Sequence, residues 1–206
     1  MRKLKIIGVL IFILMLPTFL KAQKLTFSLG LKVEYAQPVD RAYKGDFMSG
    51  LLFVFKIGEN FGLEIDSGNW KSKIEEKKYD LYPGELSITP ILVSTLFFLP
   101  LNKSFIPYIG GGFGYYFNHF QISKELITIP EVTISQSVKD EFGFHFGAGL
   151  DFFIAQNLVL NLDVKYCLIS PEGTTTITDI NEGISLQYFD IKLNNILLRA
   201  GVKIYF

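Results

Sequence analysis

The chain has 206 residues, with 20 Lys and Arg against 20 Asp and Glu, 49% hydrophobic residues, 15% aromatics and only 19% charged residues. So few charges, summing to zero, exclude a disordered tail protein and argue against nucleic acid as a partner; one cysteine excludes a disulfide framework and a Cys-rich zinc site. Twenty Phe and ten Tyr make the chain too apolar for a typical water-soluble domain, yet no apolar run in its body is long enough for a spanning helix.

Residues 1–22 read as a secretory signal peptide. Arg2, Lys3 and Lys5 form a positive start, Ile6 to Leu20 an apolar core, and Ala22 a small residue at the cleavage position. A helix over that core spans ~22 Å, short of the ~30 Å of a bilayer's hydrocarbon, which disfavours the competing reading of an uncleaved anchor. Cleavage removes four bases and no acid, leaving 16 bases against 20 acids in residues 23–206.

The body alternates with a period of two, the mark of two-faced strands. Leu25, Phe27, Leu29, Leu31, Val33 and Tyr35 form one face of the first strand, opposite Lys32 and Glu34. The second, about 47–57, carries Phe47, Leu51, Phe53 and Phe55 opposite Met48, Leu52 and Val54; the third, 61–69, sets Phe61, Leu63 and Ile65 against Glu64 and Asp66. In the fourth, about 86–98, Leu92, Leu96 and Phe98 are assigned to the apolar face, opposite Val93 and Thr95. The fifth (105–118) and sixth (141–154) alternate Ile109, Phe113, Phe144 and Phe146 with glycines, and the seventh (158–168) sets Leu160, Leu162 and Val164 against Asp163 and Lys165. The eighth, about 186–206, sets Leu198, Ala200, Val202 and Ile204 against Arg199 and Lys203.

Eight strands, tight turns near 58–60, 100–104 and 155–157, and long polar connections near 37–46, 70–85, 119–140 and 170–185 predict an all-β fold. It is a transmembrane, eight-stranded antiparallel up-and-down β-barrel in the outer membrane of a Gram-negative bacterium, a monomer whose apolar face meets lipid. A soluble barrel would place its charges outside. Here eleven of twelve strand glycines share the charged face, with only Gly111 on the other. Glycine beside charge makes steric sense in an interior just wide enough for side chains.

The charged face carries five bases (Lys32, Lys56, Lys165, Arg199, Lys203) and five acids (Glu34, Glu64, Asp66, Asp151, Asp163), a balance that predicts an ion-pair network across the lumen. Arg199 and Asp163 lie at matching depths and are expected to pair. His145 is predicted to be lumenal with no serine at matching spacing, and Cys167 is a lone lumenal thiol without an assigned role. No catalytic, metal or cofactor residues are assigned: the glycines of 110–114 precede no helix pattern and are not a phosphate loop. Tyr35, Tyr115, Phe117, Tyr166 and Tyr188 are expected in the outer aromatic girdle, and the Lys/Glu-rich run 71–78 in a solvated loop.

The stretch Pro107-Tyr108-Ile109-Gly110-Gly111-Gly112-Phe113-Gly114-Tyr115, with Thr89-Pro90 before it, Gly147-Ala148-Gly149-Leu150-Asp151 and Asp163-Val164-Lys165-Tyr166 after it, and Gly201 to Phe206 at the end, resembles the OmpW-like family of small outer-membrane barrels. The broader class includes OmpA- and OmpX-like domains. The resemblance covers about residues 86–206 and implies a narrow, porin-like barrel that passes or binds small hydrophobic molecules. Terminal Phe206 resembles the assembly signal of such barrels, which implies the outer-membrane assembly machinery as a partner besides lipid. A structural or surface-interaction barrel acting through its long extracellular loops is the alternative, and a lipid-modifying enzyme a third reading.

Overall fold

A computed structural model describes residues 25–40, 43–74, 83–102, 104–123, 132–179, 181 and 183–206; the segment read as a signal peptide and residues 75–78 of the Lys/Glu-rich run lie outside them. Among the described residues the strands are β1 (Leu25–Pro38), β2 (Asp46–Ile57), β3 (Phe61–Gly68), β4 (Trp70–Ile74), β5 (Gly84–Phe98), β6 (Phe105–Ile122), β7 (Val132–Val138), β8 (Glu141–Phe153), β9 (Leu158–Leu168), β10 (Glu172–Asp179), β11 (Gly183–Asp190) and β12 (Asn195–Tyr205). The large sheet runs β3-β2-β1-β12-β9-β8-β6-β5-β4, and β3 also pairs with β5, which closes it. Since β3 and β4 both pair with β5 on either side of Asn69, they form one interrupted stave, and the barrel has eight. Asn69 bridges the break by donating from Nδ2 to Thr89 Oγ1 at 2.7 Å.

The tight turns lie at one end. Gly58 adopts a left-handed φ of 66° in the β2–β3 turn, and Asn102 Oδ1 accepts the amides of Ser104 and Phe105 in the β5–β6 turn. At the other end the strands outrun the expected boundaries. β4 and the start of β5 occupy part of the expected 70–85 loop, and β6 continues to Ile122. β7 and β10, from segments read as loops, join β11, most of which belongs to the expected final strand, in a separate three-stranded sheet. The expected final strand therefore divides: Gly183–Asp190 pairs with β10, and only from Asn195 does the chain join β1 and β9.

These misread segments share one cause. Within the lipid band apolar residues point outward, but beyond it the wall meets water and the polarity reverses. On β4 the residues Trp70, Ser72 and Ile74 are buried while Lys71 and Lys73 face out. Lys71 reaches across to Glu85 at 2.7 Å. An alternation with charges outside does not resemble the strands below it. The fourth barrel strand needs a different correction: Leu92, Leu96 and Phe98 point inward, and Ile91 and Phe97 face lipid. Both faces of β5 are apolar there, so periodicity alone left its orientation undetermined.

Glycines line the interior where long side chains cross it. A Cβ on Gly149 would lie 2.3 Å from the Tyr108 ring and 2.5 Å from Asp163 Cβ. One on Gly147 would lie 2.2 Å from the Val164 carbonyl oxygen and 3.0 Å from Lys165 Cγ. Gly147→Val is therefore expected to destabilise the barrel by about 1–3 kcal/mol, the usual cost of overpacking. Urea unfolding in lipid vesicles measures this, and an unchanged midpoint would refute the steric account.

Candidate functional site

The interior is layered along the barrel axis. Toward the tight turns, Leu52, Val54, Leu96, Phe98, Ile106 and Tyr108 form a small apolar cluster. Toward the opposite end, a larger one gathers Trp70, Leu86, Ile88, Leu92, Tyr116 and Leu197, among others, and continues above the barrel through Val138, Ile169 and Ile191. The ionisable residues lie between them. On β12, Leu197 belongs to the outer cluster and Arg199 to the layer beneath; on β9, Cys167 and Lys165 stand in the same relation. Polar alternation predicted the layer, whereas the apolar cluster above it was missed because its members come from parts of β4, β5 and β6 read as loop or as lipid face.

Arg199 is the centre of the layer. Its Nε donates to Asp163 Oδ2 at 2.7 Å, and one terminal nitrogen donates to the same oxygen and to Glu64 Oε1, the latter at 2.8 Å. Glu34 and Asp66 approach the guanidinium at 3.8 and 3.5 Å. Four carboxylates from three strands thus converge on one cation. Lys165 binds Glu64 at 2.8 Å and Asp66 at 2.6 Å; Lys32 binds Glu34 at 2.8 Å and Asp66 at 2.5 Å. Direct register places Arg199 opposite both Asp163 and Glu34, but Glu64 lies 135 residues away and is brought in only by closure of the barrel.

Nearer the tight turns Lys203 binds Asp151 at 2.6 Å, and Asn161 Nδ2 donates to Asp151 Oδ1 and to the Tyr108 hydroxyl, each at 2.8 Å. Tyr108 in turn donates to Asp163 Oδ2 at 2.8 Å, which joins the two ionic groups. Lys56 departs from the expected set. Among the described residues it has no ion-pair partner, and its ammonium stands 4.6 Å from the centre of the Phe98 ring. Among the described residues no His, Cys, Asp and Glu group is arranged to hold a metal ion.

His145 is buried, and its Nε2 lies 2.8 Å from Ser94 Oγ. Spacing could not reveal that serine, because β5 and β8 meet only through β6 and the curvature of the wall. Lys165 Nζ is 3.5 Å from the same oxygen, and Nδ1 of His145 meets no carboxylate. The cavity among Ser94, Tyr108, His145, Asp163 and Lys165 holds about 10 Å³, room for one water. Cys167 is fully buried in the outer apolar cluster.

On the lipid side, Tyr35 packs on Phe47 at 4.9 Å, Tyr115 on Phe117 and on Phe142, each at 4.9 Å, and Tyr166 on Phe146 at 5.5 Å. Tyr188 is not in this girdle; it sits on β11, beyond the charged positions Asp190 and Lys192. The Phe206 ring stacks on Phe27 at 5.0 Å, and its amide donates to the Phe27 carbonyl.

Removing Arg199 would leave Glu64 and Asp163 buried without their main cation. Arg199→Met is expected to cost about 3–5 kcal/mol of stability, with part recovered in Arg199→Met/Glu64→Gln. Unfolding free energies in lipid vesicles test this, and a neutral Arg199→Met would refute the central role of the guanidinium.

The OmpW family model matches residues 16–206. Among solved structures the chain is similar to the outer membrane protein OprG from Pseudomonas aeruginosa (16% identity, TM-score 0.73, 89% of this chain and 97% of that one). It is also similar to the outer membrane protein W of E. coli (17%, TM-score 0.54, 90% and 100%) and to a major outer membrane protein from Thermus thermophilus (16%, TM-score 0.59, 89% and 100%). A search of curated proteins by sequence finds no match. At such identities the structures establish a shared fold, while the family model spans nearly the whole chain: the protein belongs to the OmpW family of outer-membrane β-barrels.

Proposed function

We propose that this barrel binds small hydrophobic molecules in the outer half of its lumen and is not an enzyme. The observation that carries the reading is the apolar cluster around Trp70, Leu86, Ile88, Leu92 and Tyr116 at the end where polar side chains would otherwise meet water. Beneath it the ionic layer fills the cross-section, with Arg199, Glu34 and Glu64 side chains fully buried. Trp70, Leu86, Ile88, Leu92 and Tyr116 are 0–1% exposed, so a molecule entering from outside must part them, and it then meets an apolar lining before the charged floor. Burying apolar area stabilises it at about 25 cal/mol per Å², while the floor offers no comparable gain. Free passage along the axis requires those ion pairs to part, so binding, or narrow passage gated by the layer, fits better than an open pore. The non-enzymatic reading rests on Ser94 and His145, which are sealed in the lumen without an acid to orient the imidazole. Phe206, on the lipid-facing wall beside Phe27, serves in this reading as the signal for the assembly machinery.

Trp70 is the single tryptophan of the chain and lies inside the proposed site. Titration with 1-bromooctane in detergent is expected to quench its fluorescence saturably, and Leu92→Arg to abolish the saturable part. Linear quenching, identical in the variant, would refute the site. In planar bilayers the wild type is expected to show no steady conductance; a reproducible open channel would show that the ionic layer does not close the axis.

A further inference from the structure

The three-stranded sheet β7-β10-β11 continues the barrel wall above the membrane. Side-chain alternation runs from β9 through Ile169 and Pro171 into β10, and from β12 through Leu193 and Ile191 as far as Phe189, beyond which β11 is exposed on both faces. On β7 and β10 the inner positions Ile134, Val138 and Thr175 are buried, and Val138 belongs to the outer apolar cluster. The sheet's outer positions therefore extend the lipid-facing columns of the barrel. Each column passes from apolar residues through a short charged belt, where Lys139 pairs with Glu172, to an uncharged region.

That region is a regular grid. Ser135 and Ser137 on β7 stand beside Thr176 and Thr174 on β10, and these stand beside Leu186 and Tyr188 on β11. Strands are ~4.8 Å apart, so the hydroxyls form a flat array with one aromatic ring at its margin. Among the described residues these Ser and Thr hydroxyls make no side-chain hydrogen bond, and no Lys, Arg, Asp or Glu lies among them. Ile184, Leu186 and Tyr188 are 72%, 53% and 65% exposed in one column, and β11 is an edge strand without a lysine, proline or bulge to protect it. Such a surface in open water would invite aggregation.

We propose that this outer face is a docking surface for the saccharide of outer-leaflet glycolipids. It is continuous with the lipid-facing wall and rises directly through the zone those sugars occupy. Unpaired hydroxyls both donate and accept, as sugar hydroxyls do, and Tyr188 offers an apolar ring for the face of a pyranose. Among the described residues no base lies within the grid, and Lys139 at its lower margin is already paired with Glu172, which favours sugar hydroxyls over phosphate as the recognised group. This surface is separate from the proposed lumenal site and goes beyond the binding of small hydrophobic molecules.

A nitroxide on Leu186→Cys, in a Cys167→Ala background, reads the contact in vesicles of phosphatidylcholine alone, with lipopolysaccharide carrying its core sugars, or with the same glycolipid stripped to lipid A. Folding of each variant is checked by its heat-dependent gel mobility. The label is expected to slow by about threefold or more only with the core sugars present. Thr176→Val/Tyr188→Ala is expected to restore its mobility. Equal mobility in all three vesicles would overturn the proposal, as would slowing by lipid A alone. Disulfide dimers of the unlabelled Leu186→Cys variant that form regardless of lipid would assign the face to a second copy of the chain instead.

Discussion

The geometry of the barrel depends on the guanidinium of Arg199 and the four carboxylates gathered around it. An interior of eight strands is too narrow to hold solvated ions, so every charge that enters must be met by another side chain. Arg199 suits that position because its planar fork contacts Asp163 and Glu64 together while Glu34 and Asp66 remain within 4 Å. Lys32 and Lys165 share Glu34 Oε1 and Glu64 Oε1 with it and together engage both oxygens of Asp66. Glycine at 147 and 149 follows from this arrangement, since a larger residue would occupy the space of Lys165, Asp163 or Tyr108. The same layer separates the two apolar clusters.

Height along the wall organises the outside as firmly as the ionic layer organises the inside. In the lipid band, outward positions are Leu, Val, Ile and Phe, because a charge there would cost ~2–4 kcal/mol. Above it the outward positions become Lys71, Lys73, Lys139 and Glu172, and the apolar residues turn inward as Trp70, Ile74 and Val138. One continuous stave thus carries two opposite patterns. The hydroxyl grid of β7 and β10 belongs to neither, which is why its surroundings are a question of function rather than of solubility.

Legibility of the sequence followed this division. The staves with apolar residues on one side and charges or glycines on the other, such as β1, β3, β9 and β12, declared both their existence and their orientation. β5 declared only its existence: Leu92 and Leu96 inside match Ile91 and Phe97 outside in hydrophobicity. Of the expected ionic residues, nine lie in the two linked ion-pair groups, while Lys56 faces the Phe98 ring. The contact of Ser94 with His145 was invisible because it joins strands separated by a third.

By itself the sequence determined that the chain is a strand-built membrane wall, because a period of two and the hydrophobicity of each face are local properties of consecutive residues. It also determined which charges stand inside. The pairing of Arg199 with Asp163 followed from matching depths on adjacent strands. Which charges touch across the lumen was decided only by closure, when pairing of β3 with β5 set Glu64 and Asp66 opposite Arg199 and Lys165. Closure likewise turned Leu92 and Leu96 inward and raised β7, β10 and β11 into a wall above the membrane. Those outcomes depend on register and shear around the whole ring, and no single strand carries that information.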